Sequence, residues 1–336
     1  MNAVMEKLVI CLSMIALFVS CGKENSTSGS TIDIVTGEIR VSERSVAIYG
    51  YLNAGMPTRN LCQFGILYSE NENPTMENGV FVFAEELDTD NKFEVVLKHL
   101  VPDSQYYCRA FLKNAPGVFM YGNVVTFRTV NFEVPDGAVD LGLSVFWATC
   151  NLGASKPEAY GHYFQWAGIV DVDDLNKYVY WMNCPFHIGD DDTGWTKYML
   201  LEHRSGCYEN IKPDNKSVLD PEDDAAHVSL GGGWRMPTSA EYEELLEYCT
   251  SEWTTVNGVK GVRFTSSIND NSIFLPAGGF RCDNRISGAG TSGNYWSSSR
   301  SSTMVNSCCL FFYSGNKVSI DDGARWKGMT VRPVSE

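Results

Sequence analysis

The residue types that could do chemistry in this chain are concentrated near its C-terminal end, and they suit contact more than bond cleavage. Residues 281–330 hold 10 Ser, 6 Gly and 4 Asn, interspersed with Arg281, Arg285, Arg300, Arg325, Tyr295, Tyr313, Trp296 and Trp326. Arg and aromatic side chains supply rigid contact area, while Ser, Gly and Asn adapt their hydrogen bonds to a partner, as in a paratope. On this reading the ligand-binding residues are Arg281, Asp283, Asn284, Arg285, Arg300, Ser301, Ser302, Cys308, Asp321, Asp322, Arg325 and Trp326. The competing reading is a loop-rich surface over buried aromatics, which fits Tyr295 and Trp296 better.

Reactive constellations are harder to assemble. Gly288-Ala289-Gly290-Thr291-Ser292-Gly293 matches GxGxxG, but an aromatic strand follows where a nucleotide site needs a helix, so a turn is expected. The acidic groups Asp171/Asp173/Asp174, Asp190-Asp191-Asp192 and Asp220/Glu222/Asp223/Asp224 invite a calcium reading, yet none continues into an EF-hand loop, and solvated loops are expected. Asp220 to Asp224 keeps the option of weak cation binding. His227 has no nucleophile assignable beside it and is expected to be a structural histidine. No Walker loop, GxSxG elbow, HExxH or CxxC occurs in the sequence. The expectation is therefore no catalytic residue, no metal and no cofactor.

Charge and hydropathy bound the rest. The 336 residues carry 26 Lys+Arg against 41 Asp+Glu, a formal net charge of −15, and no basic run, which excludes a nucleic-acid partner. The one long apolar run, Leu8 to Val19, has twelve residues where a spanning helix needs about twenty. Preceded by Lys7 and followed by Ser20-Cys21-Gly22, it has the order of a secretory signal over 1–20. Phe18-Val19-Ser20-Cys21 resembles a bacterial lipobox, with Phe18 where Leu is usual. That resemblance implies lipidation at Cys21 and anchoring to the outer membrane, with Lys23-Glu24 similar to the surface-export signal of gut Bacteroidota lipoproteins. The polar residues 21–31 read as a flexible tether. Nine cysteines then remain, an odd number and no disulfide framework. Cys62 and Cys108 are either a pair or two buried thiols.

Two domains follow the tether. Over 32–131, short alternating runs rich in Val, Ile, Phe and Tyr are separated by turn clusters such as Asn53-Ala54-Gly55 and Glu72-Asn73-Pro74, the spacing of an all-β sandwich. Leu100 to Ala110 resembles the start of strand F in fibronectin type III modules. The first Tyr there bonds back to the preceding corner, and Tyr106, Cys108, Ala110 and Leu112 face inward by period two. Pro135-Asp136-Gly137 ends this pattern, and all 8 Trp residues lie beyond it. In 136–336 one helix is clear, started by the capping box Thr238/Glu241 with the stripe Tyr242, Leu245, Leu246 and Cys249. A shorter helix is expected at Pro157-Glu158. Strands are expected at Ser144 to Cys150, Ser272 to Pro276, Tyr295 to Ser299, Cys309 to Tyr313, Lys317 to Ile320 and Met329 to Pro333, with Ser314-Gly315-Asn316 as a hairpin turn. The fold class is mixed, an all-β sandwich followed by an α+β domain.

The second domain carries a further resemblance. Val139 to Ala154, Asp224 to Val228, Gly233-Trp234-Arg235-Met236-Pro237-Thr238, Tyr295 to Ser299 and Val331-Arg332-Pro333-Val334 are similar, in order, to the Fibrobacter succinogenes major paralogous domain. That resemblance implies a C-type-lectin-like fold, shared with sulfatase-modifying proteins and retroelement variable proteins, whose first and last strands meet and whose loops face ligands. Retroelement mutagenesis of Asn codons cannot produce Lys, Glu, Gln, Met or Trp; residues 281–325 hold three of these (Trp296, Met304, Lys317) where the whole chain holds 56 in 336. The sulfatase-modifying relatives act through cysteine, but Cys308 and Cys309 are adjacent and on a strand face opposite sides. The expected function is a surface-anchored lipoprotein or adhesin, recognising a glycan or protein of unknown identity through its C-terminal lectin-like face, with retroelement diversification of that face. The alternatives are a formylglycine-type modifying enzyme or hydrolase on the same fold, and a structural component of fimbriae or the cell envelope.

Overall fold

In–out alternation along Gln105–Lys113 organises the first unit of the computed structural model: Tyr106, Cys108, Ala110 and Leu112 are buried, and Phe111 breaks the pattern by packing under Phe81 and Phe83. The structure describes residues 34–42, 44–52, 63–113, 117–189, 194–200, 212–303, 305–315 and 317–336. The signal segment, Cys21, the tether, the turn Asn53-Ala54-Gly55, Cys62, Asp190-Asp191-Asp192, Cys207, Met304 and Asn316 lie outside the described residues.

One sheet of this unit is formed by β1 (Ile34–Val41), β2 (Ser45–Leu52) and β5 (Lys92–Lys98). The other runs β4 (Val80–Phe83), β3 (Gln63–Ser69), β6 (Gln105–Lys113), β7 (Phe119–Tyr121), with β8 (Val125–Arg128) also paired to β6. All pairings are antiparallel, and the sheets enclose Ile48, Ile66, Phe93, Val95, Leu97, Tyr106, Cys108 and Phe127. Burying each large apolar side chain contributes about 1.5–3 kcal/mol. The corner before β6 is tied as the sequence implies: the Val101 amide donates to Tyr106 Oη at 3.1 Å, and the ring stacks on Phe127.

The second unit brings its start and finish together. Strands β9 (Ala138–Val139), β10 (Phe146–Ala148), β20 (Val334–Ser335) and β11 (Trp234–Arg235) form one sheet in the order β11-β20-β10-β9. A second sheet joins β12 (Cys249–Val256), β13 (Val259–Ser266) and β14 (Ser272–Pro276); a third joins β17 (Ser292–Arg300), β18 (Asn306–Tyr313) and β19 (Lys317–Ala324). A small hairpin, β15 (Phe280–Cys282) with β16 (Arg285–Ser287), projects from this framework. Trp147, Tyr242, Leu245, Leu275, Tyr295, Leu310 and Val334 share one core, and Trp166, Tyr198, Trp296 and Met329 share another.

Two α-helices occur among the described residues: α1 (Ala225–Leu230) and α2 (Ser239–Tyr248). Helix α2 starts with the expected reciprocal cap: Thr238 Oγ1 accepts from the Glu241 amide at 3.2 Å, and the Thr238 amide donates to Glu241 Oε2 at 2.7 Å. Helix α1 was not foreseen. Its cap is Asp224, which takes the amides of Ala226 and His227 at 2.9 and 3.0 Å. Pro157-Glu158 forms a turn and not the expected helix, closed by the Ala159 amide on Lys156 O, because no apolar stripe follows it. The strand expected at Met329 to Pro333 is corrected to bridges at Met329 and Thr330 followed by β20, since Arg332 turns into the core and Pro333 has no amide to donate. The β12–β13 hairpin went unforeseen although Asn257-Gly258, with φ of 48° and 83°, is a strong two-residue turn signal.

The two units touch through Arg44, which donates to Leu143 O and to Asp140 at 3.3 Å and lies over the Phe146 ring, and through His99, whose Nδ1 is 2.8 Å from Gly142 O.

Replacing the corner hydroxyl should cost little volume but leave the Val101 amide short of its acceptor. Tyr106→Phe is expected to lower stability by about 1–2 kcal/mol in urea unfolding; an unchanged midpoint would show that the corner bond is dispensable.

Candidate functional site

Three of the residues expected to meet a ligand, Arg281, Arg325 and Ser301, lie inside the molecule. Arg281 has no exposed surface; its Nη1 donates to Val172 O, and its Nη2 donates to Lys177 O at 2.8 Å and Asp283 O at 3.3 Å. Arg325 lies between Trp166 and Trp195, 4.6 and 5.0 Å from their ring centroids, and donates to Tyr198 O at 3.0 Å and Asn306 O at 3.2 Å. Both expectations are corrected: these guanidiniums brace loops from beneath. The physical reason is that a flat, five-donor group can satisfy several carbonyls from distant segments at once, which buried loop backbone requires. Burial lowers the Arg325 pKa to about 9, so it stays charged at neutral pH. Ser301 is also buried, with Oγ donating to Asp322 Oδ2 at 2.8 Å.

The remaining expected residues fall into two groups. Asp283, Asn284 and Arg285 are exposed at the tip of the β15–β16 hairpin, where Asp283 has φ of 51°, a conformation Asp tolerates better than most residues. Arg300, Ser302, Cys308, Asp321 and Asp322 lie on or beside β17, β18 and β19, with Cys308 opposite Asp322 and Cys309 opposite Asp321. Trp326 belongs with the first group. It lines a shallow open cleft of about 570 Å³ with Tyr178, Tyr180, Trp181 and Asp283. Sequence reasoning missed Tyr178, Tyr180 and Trp181; the signal was a run of aromatics in a segment with no strand alternation.

Hydrogen bonds hold this cleft in shape. Val179 and Asp283 exchange amide-to-carbonyl bonds of 2.8 and 2.9 Å, joining the hairpin tip to the aromatic loop. Asn183 ties the loop on itself, its Nδ2 donating to Tyr178 O at 2.6 Å and its Oδ1 accepting from the Tyr180 amide at 3.1 Å. The buried Gln165 Nε2 donates to Trp326 O at 2.9 Å and Tyr180 O at 3.4 Å. Arg281 secures the strand and loop behind them.

The other candidates are structurally occupied. Asp220 and Asp223 hold Lys197 Nζ, and Lys216 holds Asp220 at 2.5 Å. Burial opposes the charge on Lys197, but its bonds to Asp220 and Asp223 raise its pKa, while the two lysines lower that of Asp220. Asp224 is spent on the α1 cap and the Met236 amide, and His227 Nδ1 lies 3.2 Å from Trp234 O. The GxGxxG segment makes a turn closed by the Ser292 amide on Gly288 O, entering β17 and not a helix. His162, Asp171 and Asp173 bring potential ligand atoms within 4.8 Å of one another, and His162 Nδ1 is already 2.5 Å from Asp173. Cys308 and Cys309 face opposite sides, with burial raising both thiol pKa values, that of Cys309 to about 12. Cys108 is a free buried thiol likewise raised to about 12. A raised pKa removes thiolate, which is what a cysteine nucleophile needs.

Among the described residues the chain is mainly β, with several antiparallel sheets, few helices and a two-sheet sandwich in its first unit. No protein-family model and no curated protein sequence matches it. Among solved structures it is similar to the sensor domain of the anti-sigma factor RsgI4 in Pseudobacteroides cellulosolvens, at 19% identity and a TM-score of 0.25 over 31% of this chain and 100% of that one. It is similar to the fn3 domain of human contactin 1 (17% identity, TM-score 0.23, 37% of this chain and 94% of that one) and to a fibronectin type III domain from human KIAA0970 protein (16%, 0.21, 34% and 90%). These distant likenesses cover about a third of the chain.

Removing a brace should be far more damaging than removing a rim charge. Arg281→Met and Arg325→Met are each expected to cost about 2–4 kcal/mol in urea unfolding, because several buried carbonyls lose their donor, whereas the exposed Arg285→Ala stays within about 0.5 kcal/mol. Equal effects for all three would refute the distinction.

Proposed function

We propose that this chain is an exported lipoprotein, anchored through Cys21 to the outer membrane and displayed on the cell surface, that binds a glycan or protein ligand as an adhesin. The reading divides the chain into a signal at 1–20, a tether at 21–31, a fibronectin type III-like spacer at 32–131 and a C-type-lectin-like domain at 136–336. The observation that carries it is the open cleft where Asp283 and Trp326 meet Tyr178, Tyr180 and Trp181, on loops braced from below. Pre-set aromatic and polar groups in an open cleft suit recognition, because little ordering cost remains to be met on binding. The C-type-lectin-like assignment is supported by the pairing of Phe146 and Trp147 in β10 with Ser335 and Val334 in β20, which places the two ends of the domain together.

Retroelement diversification, on this reading, is restricted to positions that can change without unpacking the domain. Asp283, Asn284, Arg285, Ser302, Asp321 and Asp322 are exposed, whereas Arg281, Ser301 and Arg325 are structural. Flanking DNA without a near-copy of this 3′ segment and a reverse transcriptase gene would remove the idea.

The test uses the mature chain and the combined Asp283→Ala/Trp326→Ala variant on arrays of glycans and proteins. Retention by the parent and loss of at least about tenfold in the variant is the expected outcome; identical binding by both would remove the site. In parallel, Cys21→Ser in the full chain should move the protein from the membrane fraction to the soluble one, and continued membrane association would overturn the anchor.

A further inference from the structure

The rings around the cleft differ in what they leave open. Tyr178 is 58% exposed, and Trp181 and Trp326 are half-buried, so each offers part of a ring to solvent. Trp326 is seated on Cys184, Trp195 and Met199, which fixes its plane. The polar group among the lining side chains, apart from the Tyr and Trp tips, is the carboxylate of Asp283, and no Lys or Arg side chain lines the cleft.

Resting on the binding reading above, we infer that this cleft takes a neutral carbohydrate, with pyranose rings lying on Tyr178, Trp181 and Trp326 and a hydroxyl donating to Asp283. One face of a pyranose is a patch of C–H groups, which packs on an aromatic ring, while hydroxyls project around the edge and seek acceptors. An open, shallow cleft suits an internal stretch of a polymer, which must enter and leave sideways. Anionic sugars fit poorly: they would bring a carboxylate or sulfate against Asp283 on a chain of net charge −15, with no lining cation to pair with. A quaternary ammonium ligand would use the same ring faces, but it is held by rings that enclose it, and Tyr178 stands largely in solvent.

The mature chain is run on native gels containing laminarin, xylan or mannan, with heparin as the charged control, beside Tyr178→Ala, Trp326→Ala and Asp283→Asn. Tyr178 is exposed enough for its variant to stay folded, and far-UV circular dichroism checks the others. Retardation by at least one neutral polymer, weakened about tenfold in Tyr178→Ala and Trp326→Ala and severalfold in Asp283→Asn, is the expected result. Retardation that all three folded variants retain places the sugar elsewhere and overturns the assignment. Retardation by heparin alone, or tryptophan fluorescence changes with choline and none of the neutral polymers, overturns the ligand class. If neutral polymers fail while array retention still depends on Asp283 and Trp326, the carbohydrate inference falls and the binding reading stands; if both fail, both fall.

Discussion

Loops that run through the interior of a domain must find donors for their carbonyl groups, and in this protein buried arginines supply them. Arg281, Arg325 and Arg332 are at most 1% exposed, and their acceptors are backbone carbonyls and Asn151 instead of carboxylates. Arg332 alone gathers Asn151 Oδ1 at 2.9 Å, Ala148 O at 3.0 Å and Phe274 O at 2.8 Å, drawing together segments far apart in sequence. Desolvating a guanidinium costs several kcal/mol, which charge-assisted hydrogen bonds and the Trp166 and Trp195 faces offset. Lysine could not replace them, having one compact nitrogen where three directions are needed. Among the described residues between 150 and 220 helix and strand are sparse, and these cross-links tie the loops there to the strands.

The same constraint explains which parts of the molecule could be read from sequence. Local signals were legible: the cap at Thr238 and Glu241, the strand Ser272–Pro276 and the hairpin in which Tyr313 pairs with Lys317 follow from neighbouring residue types, and the corner bond at Tyr106 is the one its resemblance to strand F implies. Arg281 and Arg325 were misread as surface contacts because three of their acceptors, on Val172, Lys177 and Tyr198, are more than a hundred residues away in sequence. A charged side chain in a Ser- and Gly-rich segment looks exposed until the loop it supports is placed over it. The Asn257-Gly258 turn is a different kind of omission, since its signal is local and was available.

The cleft shows a mixed outcome. Asp283 and Trp326 were legible as candidates from composition, while Tyr178, Tyr180 and Trp181 come from a loop whose position depends on the bonds between Val179 and Asp283. The expected binding face is thus divided: the hairpin tip has aromatic neighbours, and Cys308 and Asp322 are cross-strand partners at one end of a sheet whose nearby Ser301 is already engaged. Of the acidic groups that suggested calcium, Asp220 and Asp223 are held by Lys197, and Asp224 caps α1.

The pairing of β10 with β20 sets an order on assembly. Trp147 lies opposite Val334, so the central pair of that sheet closes a loop of nearly the whole domain. Entropy makes such closure slow and disfavours it until many nearer contacts exist. Trp147 has a near partner in Val139, but its other side stays open until Val334 is in place. Losing Val334 and Ser335 would therefore open the middle of that sheet, leaving β10 and β11 each with a bare edge.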